Sequence, residues 1–166
     1  MGQDKGLMQY KGVPMVQHII QAVQPLTNRI HLIAANTAYQ KFGYPVFPDK
    51  IPNKGPLGGI VTGLLKCETD RTIILTCDTP HMRTEYLEEL IVAADAHEVC
   101  IPVQSGRIHP LTGIYRRSAL NHLQEQLALN VLKMTTALSG LDVQHFNADH
   151  WPNEVLKNIN SKADLT

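Results

Sequence analysis

No sign of charge prevails in this sequence: fifteen lysines and arginines face fifteen aspartates and glutamates. That balance excludes the global positive field with which a protein holds a nucleic-acid backbone or an anionic membrane. The only adjacent basic pair is Arg116-Arg117. Aromatic residues make up 5% of the chain, too few for the stacked platforms of single-strand binders. No apolar run approaches the roughly 20 residues of a membrane-spanning helix, and no basic-then-apolar leader opens the chain. The three cysteines, Cys67, Cys77 and Cys100, are odd in number and far apart. They fit reduced core thiols, and hence a cytoplasmic protein, better than a disulfide framework.

Chemistry-bearing motifs are also missing. There is no Gly-Lys-Ser/Thr phosphate loop, no Gly-x-Ser-x-Gly elbow, no His-Glu-x-x-His and no Cys-x-x-Cys. These absences argue against a P-loop nucleotidase, a triad hydrolase and a zinc site of the familiar kinds.

What is present is ordinary for a globular chain that buries a core: 43% apolar and 18% charged residues over 166 positions, the length of one domain. The hydrophobic period switches repeatedly between helix and strand. Val16, Ile19, Ile20, Val23 and Leu26 recur at helical spacing after Pro14. "RIHLIAAN" (29–36) is a β-rich run, followed by a short helix at 37–42 and an extended "YPVFPD" (44–49). "PLGGIVTGLLKC" (56–67) carries a helical stripe despite its glycines, and "RTIILTCD" (71–78) is the strongest buried-strand candidate. Thr84 is placed to cap a helix through 94, "VCIPV" (99–103) returns to strand, and "SGR" (105–107) is a turn. "HPLTGIY" (109–115) is extended, Ser118 is placed to cap a further helix, and another helix spans about 130–138 before a last strand, "LDVQHF" (141–146). Alternating strands and helices imply an α/β sandwich with a largely parallel sheet, whose ligands sit at the carboxyl ends of strands.

The candidate functional residues lie at such ends. In "IILTCDTP" a run of apolar residues stops at Asp78, and Pro80 forbids the strand from continuing. A carboxylate there either holds Mg²⁺, which takes one or two carboxylates with waters and phosphates, or starts a turn through an Asx bond. "KGPLGGI" (54–60) runs a Gly-Pro loop into a helix, either a cradle for an anion or base edge or a plain helix entry. Lys5, flanked by glycines in "GQDKG", is either a phosphate-neutralising ammonium or a solvated side chain. Asn36 and Asp49 follow extended segments and are ligand groups or turn formers. In "NIN" (158–160) two amides on alternate positions are either a pair able to point one way from an extended chain or ordinary loop asparagines.

In order, "MGQDKGLM…KGVPM", "GPLGGI", "CDTP", "HPLTGIY" and "NINS" resemble the molybdenum cofactor guanylyltransferase (MobA) family across essentially the whole chain. The resemblance implies a single nucleotidyltransferase domain over 1–166, with a Rossmann-like three-layer fold of the nucleotide-diphospho-sugar transferase type. It implies transfer of GMP from GTP to molybdopterin with Mg²⁺ as cofactor and release of pyrophosphate. Lys5 matches the family lysine that contacts nucleotide phosphates, and Asp78 the aspartate that holds the metal. Asp49 matches a nucleotide-binding aspartate, and Gly55, Pro56 and Leu57 the loop against the guanine. Asn36 matches a nucleotide-contacting asparagine or lies two positions beyond it, at Ala34. Of the "NIN" pair, Asn160 is favoured over Asn158 near the metal. Molybdoenzyme chaperones or cofactor-carrying proteins are implied as partners.

In the family, the matching glycine-rich stretch is preceded by a strand and a Leu-Ala-Gly-Gly loop that wraps the triphosphate, neither of which the sequence contains. The expectation is therefore a first strand missing from the sheet and impaired catalysis. Two alternatives are a cytidylyltransferase for the same cofactor or another small nucleotidyltransferase, separable by GTP against CTP, and a non-catalytic cofactor- or partner-binding relative.

Overall fold

The computed structural model describes residues 4–160. The first three residues of "MGQDKG" and Ser161 of "NINS" lie outside the described residues. Nine strands and five α-helices occur among those described, in the order β1 (Gln9–Tyr10), β2 (Val13–Pro14), α1 (Met15–Val23), β3 (Leu32–Ile33), β4 (Val46–Phe47), α2 (Gly55–Lys66), β5 (Arg71–Ile74), α3 (Thr84–Ala93), β6 (Val99–Gln104), β7 (Arg107–Ile108), β8 (Gly113–Arg116), α4 (Leu120–Ala128), α5 (Met134–Ala137) and β9 (Val143–Asn147). Short 3₁₀ turns cover Lys5–Leu7 and Thr37–Phe42.

The alternation of side chains along β6 and β8 builds two cores on opposite faces of one sheet. Cys100 and Ile114 face α1 and α3, where Ile19, Val23, Tyr86, Leu87 and Leu90 pack with Phe146 of β9. Val99, Ile101 and Tyr115 face α2, α4 and α5, where Leu57, Ile60, Leu64, Leu123 and Leu127 pack. Burying each such side chain is worth about 1.5–3 kcal/mol, so the two helix layers are held by their apolar stripes. The three-layer α/β arrangement read from the sequence is thus present.

The sheet is mixed rather than largely parallel. Its strand order is β5-β8-β6-β7 with β9 on β6; β6 pairs β9 in parallel, whereas β5–β8, β6–β8 and β6–β7 are antiparallel. The antiparallel share comes from the chain turning back twice after β6. Ser105 and Gly106, with φ of 51° and 74°, make the tight turn into β7, and the turn at His109–Thr112 returns the chain into β8. "HPLTGIY" is therefore a turn followed by a strand, not one extended run.

β3 and β4 form a separate parallel pair, Leu32 opposite Val46 and Ile33 opposite Phe47. The expected strand 29–36 shrinks to that pair, because β4 itself is only two residues long. β5 also ends early, at Ile74, and among the described residues pairs only with β8. Arg71 is exposed and the other three residues are half-buried, Ile73 packing toward the α1–α3 core and Ile74 toward the α2 core. A Cβ at Gly63 of α2 would lie 3.6 Å from Ile74 and 3.9 Å from Ile33, so β3 and β5 both lean on the same turn of this helix.

Two expected caps are used differently. Thr84 donates its hydroxyl to the carbonyl of Ala22, tying α3 to α1, while Arg83 occupies the cap position. Ser118 lies inside a 3₁₀ turn, Arg117–Ala119, that leads into α4. The helix expected over 130–138 is one turn, Met134–Ala137.

Candidate active site

Beyond β5 the chain runs through Leu75 and Thr76 to a turn at Cys77 and Asp78. Thr76 donates its hydroxyl to Asp78 Oδ1 at 2.7 Å, and Asn158 donates its amide to Asp78 Oδ2 at 3.2 Å. The backbone N–H of Ile159 donates to the Asp78 carbonyl at 2.7 Å. One residue on, Asn160 Oδ1 accepts from the Lys5 ammonium at 3.0 Å. Between the two asparagines Ile159 is buried with Tyr10 and Met15. The alternation expected of "NIN" is present: the apolar residue anchors the segment, and the amides on either side reach Asp78 and Lys5. It is Asn158, rather than Asn160, whose amide lies on the Asp78 carboxylate.

Lys5 is carried by a 3₁₀ turn capped by Asp4, whose Oδ1 accepts from the Gly6 N–H at 3.2 Å. The same oxygen accepts from the Tyr39 hydroxyl at 2.6 Å, and Oδ2 accepts from the Asn36 amide at 3.4 Å. Asn36 also caps its own 3₁₀ turn, Oδ1 accepting from the Ala38 N–H at 2.9 Å. It is therefore a turn former that reaches the Lys5 loop through Asp4. Cys77 sits between these groups, and burial, with the charges of Asp78 and Asp4 adding, pushes its thiol up to about 11. A thiol held protonated is a poor nucleophile.

Asp49 lies beyond β4, where its neighbour Lys50 donates a backbone N–H to Thr62 of α2 at 3.0 Å. Asp49 Oδ1 is buried without a hydrogen-bond partner, and burial raises its carboxyl above the ordinary value. An orphaned buried carboxylate oxygen is costly unless a ligand supplies the donor. It lines an open groove with Phe47, Thr62, Leu65 and Lys66. Nearby, α2 begins at Gly55 with φ +58°, Pro56 occupies its first turn, and no side chain caps its amides. Leu57 is fully buried in the core, so this loop offers a ligand its backbone and not the Leu57 side chain.

The donors around Asp78 leave each carboxylate oxygen with spare lone pairs, and the Asn160 carbonyl oxygen lies on Lys5 nearby. Among the described residues no cluster of three or more His, Cys, Asp or Glu side chains forms a dedicated metal cage. One carboxylate with amide neighbours fits a hard divalent cation that keeps waters and shares itself with phosphates.

Asp4, Tyr39 and Thr76 belong to this site and were not singled out by the sequence. Asp4 was visible only as a neighbour within "GQDKG"; nothing in the pattern distinguished Tyr39 from a core aromatic.

An α/β sandwich with a carboxylate in the turn that follows β5, a lysine turn beside it and an uncapped helix start is the architecture of a nucleotide-handling transferase domain. The chain belongs to the MobA-like NTP transferase domain family, which it matches over residues 1–141. It is 39% identical over 167 residues to a Flavobacterium johnsoniae protein named "Probable molybdenum cofactor guanylyltransferase", covering 99% of this chain and 87% of that one. It is 30% identical over 169 residues to the molybdenum cofactor guanylyltransferase of Vibrio parahaemolyticus, covering 99% and 85%. The fold matches molybdopterin-guanine dinucleotide biosynthesis protein A from Archaeoglobus fulgidus with a TM-score of 0.83 at 18% identity, covering 99% of this chain and 88% of that one. It also matches 2-C-methyl-D-erythritol 4-phosphate cytidylyltransferase from Thermus thermophilus with a TM-score of 0.76 at 12% identity, covering 99% and 91%.

Proposed function

We propose that this nucleotidyltransferase moves GMP from GTP to the phosphate of molybdopterin, forming the guanine dinucleotide cofactor. The observation that carries the reading is the pairing of Asp78 and Lys5 through one segment, Asn158–Asn160, in a chain that shares family with molybdenum cofactor guanylyltransferases. In the reaction a phosphate oxygen of molybdopterin bonds to the α-phosphorus of GTP, and the bond to the bridging oxygen breaks, pyrophosphate leaving with the electron pair. Two anions must meet, so most of the rate comes from positioning and charge neutralisation.

Asp78 is assigned to hold the divalent cation, read as Mg²⁺, with Asn160 as a second oxygen donor once its bond to Lys5 is exchanged. The cation would neutralise phosphate charge. Lys5 is assigned to the nucleotide phosphates. Asp49, with its unpartnered oxygen, is assigned as acceptor for nucleotide donors, and the Gly55–Leu57 backbone as the edge against the base. Asn36 serves this arrangement by fixing Asp4. No protein nucleophile is required, in keeping with the protonated Cys77.

We further read residues 1–166 as one domain acting in the cytoplasm, where its three free thiols stay reduced. Cofactor-carrying proteins or molybdoenzyme chaperones would take the product. The test is incubation of the chain with molybdopterin, a divalent metal and either GTP or CTP. Pyrophosphate release and a guanine dinucleotide product with GTP alone support the reading; product with CTP alone refutes it.

A further inference from the structure

We infer that Asp4 and Tyr39 form a positioning pair that fixes the Lys5 ammonium for the nucleotide phosphates, an inference that rests on the reading of Lys5 given above. Four observations converge on this pair. The Tyr39 hydroxyl donates to Asp4 Oδ1 at 2.6 Å, a short charge-assisted bond. The Gly6 N–H donates to the same oxygen, and the Asn36 amide donates to the other. Tyr39 is 5% exposed and packed with Val16, Ile20 and Leu32, so its hydroxyl is set by the core and not by solvent. Finally, a Cβ at Gly6 would fall 2.2 Å from the Tyr39 hydroxyl oxygen, so the turn carrying Lys5 is seated directly on the phenol.

Lys5 lies between Asp4, which accepts the phenol's hydrogen bond, and Gly6, which packs on its oxygen. A lysine carries its ammonium on a flexible stem with many rotamers. Fixing its backbone turn limits where the ammonium can go before any ligand arrives. The bond from Lys5 to Asn160 shows where it points: at the segment whose other amide holds Asp78. Tyr39 and Asp4 thereby act on the phosphate site without touching it.

The test uses Tyr39→Phe, which keeps the ring packing and removes only the hydroxyl, and Asp4→Asn, which keeps an acceptor for the Gly6 N–H and removes the charge. Two readouts are taken: the side-chain amide resonances of Asn160, which report the Lys5 contact without any ligand, and GTP affinity in the presence of Mg²⁺. Both variants are expected to move the Asn160 amide toward its position in Lys5→Ala and to weaken GTP binding roughly tenfold, about the worth of one hydrogen bond to a charged group. In the Lys5→Ala background neither should weaken binding further, because the pair acts through Lys5. Unchanged amide resonances and GTP affinity in Tyr39→Phe and Asp4→Asn overturn the inference, as do effects that add to Lys5→Ala. If Lys5→Ala itself binds GTP normally, the assignment of Lys5 falls and takes the inference with it. If Lys5→Ala binds weakly while the other two bind normally, only the inference falls.

Discussion

Asp78 draws its side-chain bonds from residues on both sides of it, Thr76 two positions before and Asn158 eighty positions after. Asp78→Asn keeps an oxygen acceptor for one of these and loses the charge. It is expected to lower the rate of GMP transfer at least about a hundredfold, the scale of losing one electrostatic contact to the transition state, with the melting temperature nearly unchanged. Thr76→Val removes the hydroxyl that aims Oδ1. We expect weaker Mn²⁺ binding, by roughly tenfold as read by electron paramagnetic resonance, restored by Thr76→Ser.

Asp49 presents a different case, a carboxyl raised by burial with nothing to bond. A ligand that donates to it favours the ionised form, so GTP binding should release a proton when the pH lies near that raised value and should weaken as the pH falls through it. Calorimetry in buffers of different ionisation enthalpy measures the proton, and Asp49→Asn should abolish its release. Legibility at this scale followed position: Asp49 and Asp78 stood out because each ends an extended run, Lys5 because glycines flank its loop, and the "NIN" pair because its amides occupy alternate positions. Tyr39 did not, because a core tyrosine and a tyrosine with a task have the same spacing, and only the fold brings Asp4 to its hydroxyl.

At the scale of elements, α2 is the piece that β3 and β5 share. Alanine at position 63 meets only ordinary contacts with Ile74 and Ile33, and should be neutral or stabilising by up to about 1 kcal/mol through helix propensity. Leucine there must push both strands and should cost about 1–3 kcal/mol, measured by urea unfolding. The helices were legible in the sequence because a 3.6-residue stripe survives interruption: α2 forms despite three glycines within it after Gly55. Strand lengths were less legible. A strand ends where its partner ends, and the partners of β3 and β5 are two and four residues long. The apolar run from Leu75 to Cys77 looked like strand but serves as the approach to Asp78.

For the whole molecule, two histidines set part of the acid limit. Burial lowers both His81 and His109 below their ordinary value near 6.5, the charges of Lys11 and Arg107 adding to this. A histidine that is harder to protonate when folded leaves the unfolded chain binding more protons below that value. Their effect is therefore absent above about pH 7, and stability falls as the pH drops through 6.5 toward the lowered folded values. The paired variant His81→Gln with His109→Gln should lose less stability than the parent between pH 7 and pH 5, as measured by urea midpoints. Ligand linkage acts in the other direction: GTP with Mg²⁺ at a hundred times its dissociation constant should stabilise the fold by about 2.7 kcal/mol, with CTP giving less.

The contact between Lys5 and Asn160 spans 155 positions. Every strand and helix described here lies between those two residues, so the Asn158–Asn160 segment is synthesised after all of them. On the ribosome the β5 turn and the lysine turn can form while the amides that join them are still untranslated. A nascent chain thus has its carboxylate and its ammonium before it has the brace between them, and substrate that arrived early would meet a site with both charges but no fixed distance between them.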